Sequence, residues 1–106
     1  MPKYLWQVSY TAEGARGILK EGGTKRRELI ADLVAQSGGT LESFYFEFGS
    51  DDVLVIAALP DEATAAAVSL SVGASGAASI RTTVLLAPEV LDEAASKSVG
   101  YRAPGA

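Results

Sequence analysis

Strand-like and helix-like hydrophobic patterning follow one another along this chain in the order β-α-β-β-α-β, with the first α in two segments and a short helix added at the end. That order constrains the fold more than any single motif does. Lys3 to Tyr10 is rich in aromatic and β-favouring residues and reads as a first strand. Thr11 can cap a helix from Ala12, whose Ala15, Ile18 and Leu19 share a face. Gly22-Gly23 breaks it. Thr24 can cap a second segment over Lys25–Ser37, where Leu29, Ile30, Leu33 and Val34 make a helical stripe, and Gly38-Gly39 ends it. Thr40 to Phe48 and Val53 to Leu59 read as a hairpin joined by the turn Gly49-Ser50-Asp51-Asp52. Asp61 caps a helix running to about Gly73 or Ala74, and Ala78 to Leu86 is a fourth strand. Pro88-Glu89 starts a last short helix ending near Ser96, and residues 97–106 form a tail.

This is the split βαβ, or ferredoxin-like, arrangement. The fold class is α+β, with a four-stranded antiparallel sheet, an extra C-terminal helix and a tail. Right-handed crossovers place both main helices on one sheet face. The other face has no cover within one chain. The 106 residues predict one domain, 1–106, with one core.

Parity sorts strand side chains between the two faces. Tyr4, Trp6, Val8 and Tyr10 are assigned to the helix side, together with Phe44, Phe46 and Phe48. The opposite face is then a mixed one of Leu5, Gln7, Ser9, Tyr45, Glu47, Arg81 and Thr83, joined by Val53 and Val55. Two such faces can stack about 10 Å apart and bury one another. The chain is therefore expected to self-associate through its sheet face as a homodimer or higher homo-oligomer. Gln7, Tyr45, Glu47 and Arg81 are candidates to line a small-molecule site there. The plainer reading is an ordinary interface with satisfied polar groups. The helix DEATAAAVSLSVGA has charges only at Asp61 and Glu62, so it predicts cover on more than one side, by the tail or another subunit.

Lys25, Arg26 and Arg27 open a helix, where the dipole favours anions instead. Free backbone N–H groups, a Gly-Gly approach and guanidinium donors suit a phosphate or carboxylate. These three are the second set of ligand-binding candidates. The bland alternative is a solvated cluster paired with Glu21 and Glu28. The spacing is not that of a P-loop.

Exclusions are firm where residue types are missing. With no cysteine and no histidine, thiolate and imidazole metal sites, thiol nucleophiles and the usual haem ligand are all absent. No metal and no cofactor are expected. Serines lack a histidine base, and no catalytic residue is assigned. A net charge of -4 argues against a broad nucleic-acid-binding face. The N-terminus reads as a strand instead of a signal peptide, and no apolar run approaches the ~20 residues of a membrane span. A cytoplasmic protein with no membrane partner is the expectation.

Three strings carry a family resemblance: YLWQVSYTAEGARGILKEGGTKRRELI, GGTLESFYFEFGSDDVLVIAALPDEATAAAVSL and ASGAASIRTTVLLAPEVLDEA. Across nearly its whole length the chain resembles GYD-domain proteins. The resemblance implies a ferredoxin-like, dimeric α+β barrel but names no reaction. The family's Gly-Tyr-Asp stretch maps to Gly49, Asp51 and Asp52, with Asp51 where tyrosine is expected.

Three functions fit these readings. One is a homo-oligomeric α+β-barrel module binding a small anionic or aromatic ligand. A second, by analogy of fold alone, is a cofactor-free monooxygenase or isomerase using Tyr45, Arg81 and Glu47. The third is a purely structural assembly protein.

Overall fold

The computed structural model describes residues 1–106. The strands are β1 (Lys3–Tyr10), β2 (Thr40–Phe46), β3 (Val53–Ala58) and β4 (Ala78–Leu85). The helices are α1 (Ala12–Glu21), α2 (Gly23–Gln36), α3 (Glu62–Ala74) and α4 (Pro88–Ser96). The sheet order is β2-β3-β1-β4, and every neighbouring pair is antiparallel. This is the ferredoxin-like order expected from the element sequence. No helix is long and apolar enough to cross a membrane.

Local chemistry explains the boundaries. Thr11 caps α1 by accepting from the Gly14 N–H, and Asp61 caps α3 by accepting from the Thr64 N–H. Gly22, at φ 85°, is both the C-cap of α1 and the N-cap of α2. Only glycine takes that backbone region without strain. The second helix therefore starts at Gly23, and Thr24 does not cap it as expected: it already lies in the first turn.

The core lies between the sheet and α2 and α3. It is built from Tyr4 and Trp6 of β1, Val53, Val55 and Ala57 of β3, Val34 of α2, and Ala65 and Val68 of α3, with Leu59. The aromatic side of β1 thus faces the helices, as its alternation indicates. Val53 and Val55 do not join the open face. Register places Val53 opposite Val8 and Val55 opposite Trp6, and paired residues point to the same side of a sheet. Leu54 and Ile56 take the open face in their place.

The strand β2 carries an irregularity between Leu41 and Ser43. A bulge shifts the side-chain phase by one, so Leu41 and Phe44 both pack against the core. Phe44 and Phe46 meet edge to face at 5.4 Å. Phe48 lies beyond the end of β2 and is fully exposed, so the third phenylalanine does not pack under the helices.

Only 11 of 106 residues are buried, which is little cover for a domain with this much apolar sequence. Leu70 on the outer face of α3 is 74% exposed, so the tail does not cover that helix. Nothing in α4 is buried. The radius of gyration is 17.0 Å, against about 13 Å for a compact chain of this length. The excess matches an α4 and tail that extend away from the sheet.

Candidate functional site

The open sheet face is ordered in rows by strand register. Tyr45 of β2 pairs with Leu54 of β3, Leu54 with Gln7 of β1, and Gln7 with Arg81 of β4. One line across all four strands therefore carries Tyr45, Leu54, Gln7 and Arg81. The next row is Ser43, Ile56, Leu5 and Thr83. Three of the four candidates for this face are thus brought into one line. Leu54 and Ile56 stand at its centre, where Val53 and Val55 were expected. Tyr45 and Arg81 are exposed at the two edges, while Gln7, Leu54, Leu5 and Ile56 are half-buried.

Glu47, the fourth candidate, follows β2. Its backbone N–H donates to the Asp52 carbonyl at 2.7 Å. Its Oε1 is buried and has no hydrogen-bond partner. A buried acceptor without a donor is uncommon and costly.

Arg81 is held by the β2–β3 turn. Its guanidinium pairs with the carboxylate of Asp51, which is 7% exposed and also accepts from the Ser9 hydroxyl at 3.0 Å. The Arg81 hydrogen bond, with help from Ser9, holds the Asp51 carboxyl below its usual range despite burial. Asp52 is equally tied to β1: its carboxylate accepts from the Tyr10 N–H at 2.8 Å and its own N–H donates to the Val8 carbonyl at 2.8 Å. The adjacent aspartates thus do more than shape a turn, because both anchor it to β1. Gly49 has no positive φ, so its presence is not explained by backbone need.

The basic helix start does not behave as one cluster. Lys25 is exposed and makes no ion pair. Arg27 lines a shallow surface depression with Gly23, Thr24, Phe44 and Phe46. Arg26 turns the other way and lines an interior pocket with Trp6 and Tyr10. Its Nη1 stands 3.7 Å from the Glu21 carboxylate, and its Nε is buried without an acceptor. The expected partner Glu28 forms no pair. Burial pushes the Tyr10 phenol up, and the neighbouring Arg26 charge offsets part of that rise.

These two candidate sets lie on opposite sides of the sheet. Trp6 and Tyr10 were legible as core residues, but the Arg26 charge beside the Tyr10 phenol was not. Nothing in a linear pattern shows which helix cation turns inward.

No curated protein and no solved structure matches the chain significantly. The GYD domain model matches residues 4–95, which takes in β2, β3 and β4, all of β1 but Lys3 and all of α4 but Ser96. With that match spanning the sheet, its open face and the anchored turn, the chain belongs to the GYD domain family.

Proposed function

We propose that this chain is a homo-oligomeric module whose stacked sheet faces enclose a site for a small anionic or aromatic ligand. The observation that carries the reading is the uncovered row Tyr45–Leu54–Gln7–Arg81, backed by Leu5 and Ile56 in the next row. An apolar strip across a sheet centre is costly in water and gains by meeting a second such strip. The polar residues at its edges supply donors and a π-face to whatever occupies the space between. Arg81 is positioned by Asp51 yet keeps further N–H donors for a ligand. The sparse burial of the isolated chain supports the same reading.

Light scattering on the wild type and on Leu54→Asp tests it. The expected result is a stable oligomer that the substitution converts to monomer while the circular dichroism stays unchanged. A wild-type monomer at micromolar concentration overturns the assembly. For the ligand, a thermal-shift screen of small carboxylates, phosphates and aromatic acids is expected to give stabilisation that Arg81→Ala and Tyr45→Phe reduce.

A further inference from the structure

The helix α4 has two unlike sides and no cover for the apolar one. Val90, Leu91 and Ala94 recur at helical spacing on one side, and Glu89, Asp92 and Glu93 occupy the other. The helix carries no cation. None of its residues is buried, and Leu91 is 53% exposed. The chain as a whole exposes 7161 Å2, against about 5,600 Å2 for a folded monomer of its mass. The excess of about 1,500 Å2 lies in the range that each partner of an obligate dimer covers.

A surface of the opposite charge runs along the β2 edge. Two adjoining depressions there, of about 280 Å3 each, share Arg27 and Phe44 in their linings. Phe46 lines one of them and is exposed. Arg27 and the nearby Lys25 are exposed and make no ion pair. Glu42 is the one acid in either lining, and Lys3 holds its carboxylate at 2.8 Å. This edge therefore offers aromatic surface beside free cations, and α4 offers aliphatic surface beside free acids.

We propose that α4 is an exchanged arm. In the sheet-stacked dimer, the α4 of each copy lies along the β2 edge of the other, with Val90 and Leu91 against Phe44 and Phe46 and its acids beside Lys25 and Arg27. The inference rests on the stacked-sheet reading above and adds a second contact to it. Within one chain the two surfaces stand at opposite edges, because α4 follows β4 and the sheet order is β2-β3-β1-β4. A two-fold axis along the strands sets β4 of one copy above β2 of the other, about 10 Å away. The helix is about 13 Å long, so a turn at the extended Ala87 lets it cross that gap.

The chain has no cysteine, so introduced thiols react only with one another. Leu91→Cys protein is mixed with Phe46→Cys protein under mild oxidation, and cross-linking is read on a non-reducing gel. Leu19→Cys, on the exposed α1, replaces Phe46→Cys in the control. The expected result is a disulfide between position 91 of one copy and position 46 of the other, well above the control, and its loss when both chains also carry Leu54→Asp. Leu91→Asp should raise the dimer Kd by about tenfold or more in sedimentation, the scale of one buried leucine. Arg27→Glu should raise it several-fold at low salt and less at high salt. Equal cross-linking to the control, cross-links only between two Leu91→Cys chains, or no cross-link overturns the arm. A wild-type monomer overturns the arm and the stacked sheets together. A dimer that Leu54→Asp splits and Leu91→Asp leaves equally tight overturns the arm alone. Should Phe46→Cys not fold, the dimer Kd of Leu91→Asp decides.

Discussion

Arg81 on β4 and Asp51 in the β2–β3 turn form an ion pair across the open face, although thirty residues separate them. The pair spans the sheet from its β4 edge to the end of the central strands. The Ser9 hydroxyl holds the second carboxylate oxygen. Asp51 therefore fixes both the turn and the direction of the Arg81 guanidinium.

Asp51→Asn should lower stability at neutral pH and flatten its dependence on acid. The Asp51 carboxyl titrates below the ordinary carboxylate value in the folded chain. At low pH the unfolded chain therefore binds a proton that the folded chain does not. The stabilisation is present above the unfolded value and is lost as pH falls through the folded one. Urea denaturation from neutral pH down to about pH 2 checks this, since the window lies below the ordinary carboxyl pKa of about 3.9. An equally steep acid limb in the variant would falsify it.

Tyr10→Phe should act at the other end of the scale. Burial raises the phenol's pKa, so the folded chain holds its proton where the unfolded chain has lost it. That contribution is intact below the unfolded value of about 10 and disappears as pH rises through the folded one. The variant is expected to lose less stability than the wild type above about pH 10. Thermal melts in alkaline buffers, with tyrosinate absorbance as a second readout, make the comparison.

Gly39→Ala should be among the most damaging single-methyl additions. A Cβ there would stand 2.2 Å from the Ala58 carbonyl oxygen and 2.8 Å from Leu59 Cδ2. The first neighbour is backbone and cannot turn aside. Overpacking of this kind costs about 1–3 kcal/mol, and denaturant midpoints measure it. Gly17, which has open space around it, is the matched control: Gly17→Ala should be neutral or stabilising, given the helix propensity of alanine.

Removal of residues 88–106 should leave the melting temperature of a single chain nearly unchanged. No residue of α4 is buried, and its one side-chain hydrogen bond, from the Ser96 hydroxyl to the Glu93 carbonyl, stays within the helix. The comparison is best made in the Leu54→Asp background, by calorimetry. A large loss of stability there would mean that α4 packs on its own chain in solution.

The order of elements was legible because hydrophobic period, caps and glycine breaks all act locally. Thr11 and Asp61 cap the helices they precede, and Pro88 starts the last one. The β1 faces were legible too, because bulky aromatics alternate with Gln7 and Ser9. The run Val53–Ala58 has no such alternation. Every residue in it is apolar, so period alone cannot say which set faces the helices. Pairing with β1 decides it, and sends Val53 and Val55 inward.

The candidate residues divide along the same line. Gln7, Tyr45 and Arg81 share a face by parity, and parity is a property of the extended chain itself. Their alignment in one row depends on register between strands far apart in sequence, and on a bulge near Glu42 that changes the phase of β2. The inward turn of Arg26, the exposure of Lys25 and the Asp51–Arg81 pair depend on through-space neighbours. The amino-acid order determined which elements form and which side chains share a strand face, because those follow from backbone geometry over a few residues. Only tertiary packing decided which cation reaches the core and which acid anchors the turn, because those choices are set by burial and charge between segments distant in the chain.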